Sequence, residues 1–583
     1  MKNQVEQENE TALLSRRECL GKLALPTAGV VVGAGLLGRK AVAAMPVNAA
    51  KSNSDPGARV YNIRDYGAKG DGTKLDTAAF NAAIVACAAA GGAQVLVPPG
   101  RYLTGTICLK SNITLLLEAD AEIIGTPDLA QYEPFTPPKG NPLADLAPSW
   151  HRALLLGADV ENVIITGHGC INGNKVFDPR GEENMRGPHA VLFGNSRNIV
   201  MRDISIKDSG NYAVMLEFTS DVEVSRIKIT GGWDGIHFRG WKDRPSRNVT
   251  IVDCEFFTGD DGIAGWFWEN ALIARCIINS SCNGIRLIGP AQRLIIHDCL
   301  FFGPGRFEHR TSRERHRTNM LAGILLQPGA WGHTEGLLDN VQISNITMHD
   351  VATPFSVTLA PGNKAGRITV NRMTATGVYE AAASVESWAE EPVERMTIRD
   401  VNFEFSGGRG GELAELPIRR PEQDARPLPV WGLYVRKVRV LDLQDVRLNL
   451  IEADARSAFM ADEVEHIKLD AFRAPQSDAR PLVLSNVQDV ILSETDVKIA
   501  AGKCVGLQTH GNPIAIIATI KNQCRSGLVK VQVSLDGQLR TKWVDMRANE
   551  RKEVVFTSWG NPRAGMHTIQ CGDLQKKLHI SER

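Results

Sequence analysis

Asn248-Val249-Thr250-Ile251-Val252-Asp253-Cys254-Glu255-Phe256 is one instance of a phrase that returns along most of the chain. The phrase is a short alternating strand, one or two polar residues, then a second short strand. Other instances begin at Asn162, Asn198, Asp221, Arg293, Asn340, Arg367, Arg395, Lys437, His466 and Asp489. Several intervals are about 22 to 29 residues, a strand-forming period that means a solenoid or a propeller. A propeller blade needs four strands and roughly 40 residues, so the shorter period predicts a parallel β-helix. One unit cannot bury its own apolar face; stacked neighbours supply the core. Asn at the head of a phrase bonds its own backbone and tolerates left-handed geometry. Longer intervals, such as Arg293 to Asn340, leave room for an inserted loop.

The same repeat explains the cysteines. There are 11 in the chain, and disulfides would be permitted in an exported protein. Cys254, Cys276 and Cys299 instead recur in matching contexts one repeat apart. That spacing predicts an interior stack of small apolar side chains. Cys524 and Cys571 could pair near the C-terminus. Asp76 to Ala90 predicts a helix that caps the first coil, with Ile84, Val85 and Cys87 on one face and Gly91-Gly92 ending it. After about residue 505 the phrase gives way to strands joined by short polar turns, which predicts a small β-sandwich over 505–583. The β-helix is expected over 58–504.

The first 44 residues read as an export signal. Arg16-Arg17 precedes an apolar run from Leu23 to Leu37, and Ala41-Val42-Ala43 is a small-residue cleavage site. Paired arginines before a weakly hydrophobic core resemble a twin-arginine signal. The run is too short to span a bilayer, which takes roughly 20 residues. Residues 45–57 read as a linker. The mature chain is therefore expected to be periplasmic or secreted, outside any membrane, and a monomer. Lys+Arg and Asp+Glu both total 66, so no net charge draws the chain to nucleic acid.

Two acidic clusters lie one coil apart: Asp234-Gly235, and Gly259-Asp260-Asp261-Gly262. A glycosidic bond is cleaved by one protonated carboxyl and one carboxylate. One rung of about 4.8 Å plus a lateral offset predicts carboxyl groups roughly 6.5 to 9.5 Å apart, a separation that admits water and inverts the anomeric centre. Asp before Gly is also a common turn pair, so the pairing of the two clusters carries the catalytic reading. Crowded acids raise at least one pKa, which retains a proton for the acid role. Trp266 and Trp268 lie beside the acids and could pack on sugar faces. His237 and Arg239 share one face of the strand after Asp234, and Arg286 could reach the same groove. The basic stretch Arg306 to Arg317 includes His309, Arg310 and Arg313. Guanidinium forks suit carboxylates.

Ile63-Arg64-Asp65-Tyr66-Gly67-Ala68-Lys69-Gly70-Asp71-Gly72, with the helix and the Val95-to-Gly100 strand that follow, resembles the opening of the pectate-lyase-like β-helix superfamily. Within it, residues of about 60 to 500 resemble glycoside hydrolase family 28, the polygalacturonase and rhamnogalacturonase group. The resemblance implies a right-handed parallel β-helix and an inverting hydrolase of pectin-like or other acidic polysaccharide, with no cofactor or metal. It implies Asp260 as general acid and Asp234 with Asp261 as activators of water. The family's Gly-His-Gly falls at Cys282-Asn283-Gly284, so Asn283 replaces the histidine. Its Arg-Ile-Lys falls near Leu325-Leu326-Gln327, so Gln327 stands where a cation would hold a uronate. The basic stretch is expected to supply replacement contacts. Two alternatives remain open: a polysaccharide lyase using His237, Arg239 or Arg286 as base with calcium on the aspartates, and a carbohydrate-binding protein without catalysis.

Overall fold

The heads of the repeated phrase form a turn ladder. Asn162, Asn198, Asp221, Asn248, Asn270 and Arg293 all adopt φ between 55° and 58°. Each polar side chain bonds the same position one rung away. Asn198 Nδ2 donates to Asn162 Oδ1 at 2.6 Å, Asn248 to Asp221 at 2.7 Å, and Asn270 to Asn248 at 2.9 Å. A second left-handed ladder alternates acid and base: Arg226 forks onto Asp203, and Arg275 onto Asp253. The turns thus fix where each strand begins.

The strands between them pair in parallel, rung upon rung. Val163, Ile199, Val222, Val249, Ala271, Leu294, Val341 and Ile368 stand in one register column. All are buried. One apolar ladder therefore serves as the core of many rungs, which gives a parallel β-helix, and crossovers between parallel strands are right-handed. The structure is a computed structural model that describes residues 59–580, apart from 138–150, 312–315, 475–481, 496–498, 511–513, 524, 558 and 560–561. The predicted signal and linker, Arg313 and Cys524 lie outside the described residues. No described helix is long and apolar enough to cross a membrane.

Cys254, Cys276 and Cys299 form the expected interior stack, each at most 3% exposed. The helix Thr77–Ala89 buries Phe80, Ala83, Ile84 and Cys87, and Phe80 meets Tyr102 edge-on at 5.5 Å. Val85, expected on the buried face, is exposed; it lies only one residue from Ile84, about 100° around a helix of 3.6 residues per turn. Asp76 does not cap the helix with its side chain; it accepts from the Lys69 and Gly70 amides at 2.7 and 3.0 Å. At the other end, Gly502–His510, Ala515–Asn522 and Arg551–Phe556 form an antiparallel sheet. Its apolar face packs with that of the hairpin Gly527–Leu535 and Gln538–Met546 around Ile516, Ile520, Val531, Val533, Phe556 and Ile569. The Cys571 thiol lies against Cys504 there, and burial raises its pKa.

Candidate active site

Tyr212, Asp234, Asp261 and Asn283 occupy successive rungs at one turn. Backbone bonds fix the column: Ala213 N to Asp234 O and Gly235 N to Asp261 O at 2.9 Å, and Gly262 N to Asn283 O at 2.9 Å. The glycine after each polar residue is dictated by packing. A Cβ on Gly235, Gly262 or Gly284 would stand 2.5 to 2.7 Å from the carbonyl oxygen of the next rung. The Asp-Gly pairs are thus structural and place acids in register at once. Asp260 leaves the column on the outer side, its amide reaching Trp233 O at 3.3 Å.

The three aspartates converge. One carboxylate oxygen of each lies within 4.8 Å of the others. Their facing oxygens stand closer than the expected gap of roughly 6.5 to 9.5 Å, because Asp234 and Asp261 occupy the same turn position on adjacent rungs. A water with ordinary hydrogen bonds of about 2.7 to 2.8 Å spans two oxygens at this distance. All three aspartates are buried; the Asp260 side chain retains the most exposure, 12%, against 5% for Asp234 and 6% for Asp261.

Their surroundings differ. Asp234 meets His237 Nδ1 at 2.6 Å, and the imidazole stacks on Tyr212 at 4.5 Å. Burial, then the charge of Asp260, raises Asp234 well above the usual carboxylate range. Burial keeps His237 neutral, with Arg239 adding to the effect. Asp261 Oδ1 accepts the backbone and side-chain N–H of Asn283, both at 2.9 Å, and its Oδ2 faces Arg286 at 3.7 Å. Burial still raises Asp261. Burial would also raise Asp260, but His309 at 3.6 Å and Arg186 at 3.4 Å, with Arg286 beyond, hold it below the ordinary value. The negative charge therefore rests on Asp260, and the proton on the Asp234–Asp261 side.

Three segments wall the site. In the first, Phe177 and Arg186 bridge across a tight turn, with Glu183 and Asn184 at positive φ. It delivers Arg186 to Asp260 and sets Glu182 against Arg186 at 3.4 Å. Burial lifts Glu182 to about 7. The second, 303–320, brings His309 to Asp260 and lays Arg310 on the Trp233 ring at 4.2 Å. Gly259 allows its approach, since a Cβ there would stand 2.7 Å from Glu308 O. The third, 408–429, crosses the outward face further along. Gln423 O and Asp424 receive Arg286 Nη2, and Arg426 forks onto Glu386 at 2.8 Å twice.

The sequence-predicted residues divide. Asp234, Asp260, Asp261, His237, Asn283, Arg286 and His309 meet at one point. Arg310 lies one aromatic ring away. Arg239 sits between Glu217 and Trp266 in the register and lies over the Tyr212 ring at 5.9 Å. Trp266 is half-buried on the outward face. Trp268 is not a sugar platform. Phe267 has φ of 54°, which flips the alternation, so Trp268 turns into the core against Phe238 at 5.2 Å. Gln327 is buried, and neither end of its amide has a hydrogen-bond partner among the described residues. Arg186 and Glu182 escaped the sequence reading. Their signal was the 36-residue step from Asn162 to Asn198, longer than the basic repeat and ample for an inserted hairpin.

Comparison with known proteins agrees with this architecture. Residues 60–286 match the family model for rhamnogalacturonase A/epimerase, pectate lyase-like. An exo-poly-alpha-D-galacturonosidase of Dickeya chrysanthemi is 29% identical over 261 residues, covering 35% of this chain and 41% of that one. The chain therefore spans about two fifths of that relative's length. An exopolygalacturonase of Arabidopsis thaliana is 24% identical over 60% of this chain and 81% of its own. The solved structure of a Yersinia enterocolitica family 28 exopolygalacturonase aligns with a TM-score of 0.47 at 16% identity, covering 76% of this chain and 79% of that one.

Proposed function

We propose that this chain, a pectate-lyase-like protein of the glycoside hydrolase family 28 group, hydrolyses glycosidic bonds of a pectin-like acidic polysaccharide. The observation that carries the reading is the convergence of Asp234, Asp260 and Asp261 within 4.8 Å on a wall that also holds Arg186, Arg286 and His309. Asp260, the most exposed of the three, is the general acid once the proton held on the Asp234–Asp261 side has passed to it. Asp234 and Asp261 hold the attacking water. The water oxygen bonds to the anomeric carbon as the glycosidic C–O bond breaks. The leaving oxygen takes the proton of Asp260, and the water's proton passes to Asp234 or Asp261. His237 fixes Asp234, and Asn283 fixes Asp261. Attack from the face opposite the leaving group inverts the anomeric centre.

A lyase would need an accessible base beside a uronate. His237 is buried beneath Tyr212, and Arg286 is tied to Asp261 and Asp424, so both support hydrolysis better. Residues 1–44 are assigned to export by a twin-arginine-type signal, which N-terminal sequencing of periplasmic or secreted protein tests.

The functional test is a glycan panel with product analysis, run beside Asp260→Asn. Loss of a general acid costs about 10²- to 10⁴-fold in kcat, with substrate binding retained. Proton NMR of the first-formed product reads its anomeric configuration. Unsaturated products would replace the hydrolase with a lyase, and full turnover by Asp260→Asn would move the acid elsewhere.

A further inference from the structure

Arg186 is the one cation that touches Asp260 from the inserted hairpin, and its position is unusual. The side chain is 6% exposed. It lies between the rings of Tyr212 and Trp233, at 5.4 and 5.2 Å from their centroids. One edge of the guanidinium is occupied: Nε and Nη2 meet Glu182, Glu183 and Asp260 at 3.2 to 3.4 Å. The other is not. Nη1 is buried and has no hydrogen-bond partner among the described residues. A buried charged donor left unmatched is costly, and a scaffold retains such a group where a ligand completes it. Arg310 also stands over the Trp233 ring, 4.2 Å from its centroid.

We propose that Arg186, with Arg310 on the same Trp233 ring, recognises the carboxylate of an acidic sugar at the catalytic centre, and that this sugar draws Arg186 away from Asp260. The inference rests on the hydrolase reading above and names its substrate class as a uronate. A planar guanidinium offers two parallel N–H groups to a carboxylate. The end-on fork pairs Nη1, which is free, with Nη2, which faces Asp260, so a carboxylate that engages it takes Nη2 from the Asp260 oxygen.

The consequence is mechanistic. Asp260 is faced by Arg186 and Arg286 as cations, by the His309 ring at 3.6 Å, and by Asp234, Asp261 and Glu182 as acids. When the substrate carboxylate takes Arg186, Asp260 loses one of its cations and becomes the stronger base. The proton held on the Asp234–Asp261 side, whose oxygens are within 4.8 Å, moves to it. Asp260 is then loaded as acid, and the carboxylate that released the proton is free to take one from water. No proton enters or leaves the cluster. An acidic sugar thus arms the site, and a neutral sugar leaves Asp260 ionised and idle.

The test compares oligogalacturonides with the same oligomers after reduction of their carboxyl groups. Wild type is expected to prefer the uronate in kcat/KM. Arg186→Gln should lose about 10- to 100-fold in kcat/KM on the uronate, the range for a hydrogen bond to a charged group, and gain rate on the reduced oligomer, since Arg186 no longer holds Asp260 ionised. Arg186→Lys should recover part of the uronate rate, since the charge returns without the fork. Free galacturonate should raise the melting temperature of wild type and galactose should not, a measurement that needs no variant to fold. Equal losses on both oligomers, or a uronate preference that survives Arg186→Gln, overturn the inference and leave the hydrolase reading standing. Wild-type preference for the reduced oligomer, or equal stabilisation by galactose, overturns both.

Discussion

Asn283 gives both its backbone N–H and its side-chain N–H to the same oxygen of Asp261, each at 2.9 Å. Two donors on one oxygen leave the other oxygen, 3.7 Å from Arg286, to deal with the site. In the proposed hydrolase Asn283 is therefore a positioning residue that acts through Asp261. Asn283→Ala keeps the backbone bond and deletes the side-chain one. A hydrogen bond to a charged group contributes about 1.5 to 3 kcal/mol, so kcat should fall about 10- to 100-fold while KM changes little. Steady-state kinetics with a matched thermal melt separate this from unfolding; an unchanged kcat would discard the role.

Much of this was legible because a repeat writes the same constraint many times. The turn ladder at Asn162, Asn198 and Asn248, the apolar column at Val163, Ile199 and Val222, and the cysteine stack each recur until chance is excluded. The convergence of the acids was legible because Asp234-Gly235 and Asp261-Gly262 sit in register, one repeat apart. Departures from the repeat were not. Trp268 reads as a partner of Trp266 by alternation, and only the left-handed Phe267 reverses it. Arg186 and Glu182 lie on a hairpin whose path is set by long-range contacts, so no local period points to them. The separation of the acids was overestimated because the lateral offset between rungs is a three-dimensional quantity that spacing does not encode.

Glu182 makes stability depend on pH. Its carboxyl ordinarily titrates near 4.5 and stands at about 7 in the fold. Between those values the folded chain keeps a proton that the unfolded chain has lost. Stability from this group is thus fully present below pH 4.5 and declines as pH rises toward 7. The upper bound is about 3 kcal/mol. Glu182→Gln, which cannot ionise, should flatten that segment of the profile. Chemical denaturation of wild type and variant at several pH values gives the comparison; parallel profiles would assign the dependence to other groups.

The two tryptophans should respond oppositely. Trp268 is a core residue against Phe238, and Trp→Ala in a core costs about 3 to 5 kcal/mol. Trp268→Ala should therefore lower the melting temperature markedly. Trp266 is half-buried on the outward face beside Arg239. Trp266→Ala should leave stability nearly unchanged and raise KM for the oligosaccharide, since the platform for a sugar ring is gone. Paired melts and kinetics would expose an error in either placement, for example a stable Trp268→Ala.

The segment 408–429 predicts how the polymer is cut. Arg426 forks onto Glu386, whose side chain is fully buried, and Gln423 and Asp424 clasp Arg286, which pairs with Ala264 on the rung after Asp261. The outward face from Arg286 to Glu386 is thereby covered, so a polysaccharide cannot run through in that direction. Cleavage should proceed from chain ends and release short products with little early loss of viscosity. Arg426→Ala strands a buried carboxylate, and breaking such a pair costs about 3 to 5 kcal/mol. The cost is relieved if the segment lifts and water reaches Glu386. The variant should then release longer fragments and thin the solution earlier in the reaction. Viscometry against reducing-end formation gives the ratio directly, and identical curves for wild type and variant would show that this segment does not close the groove.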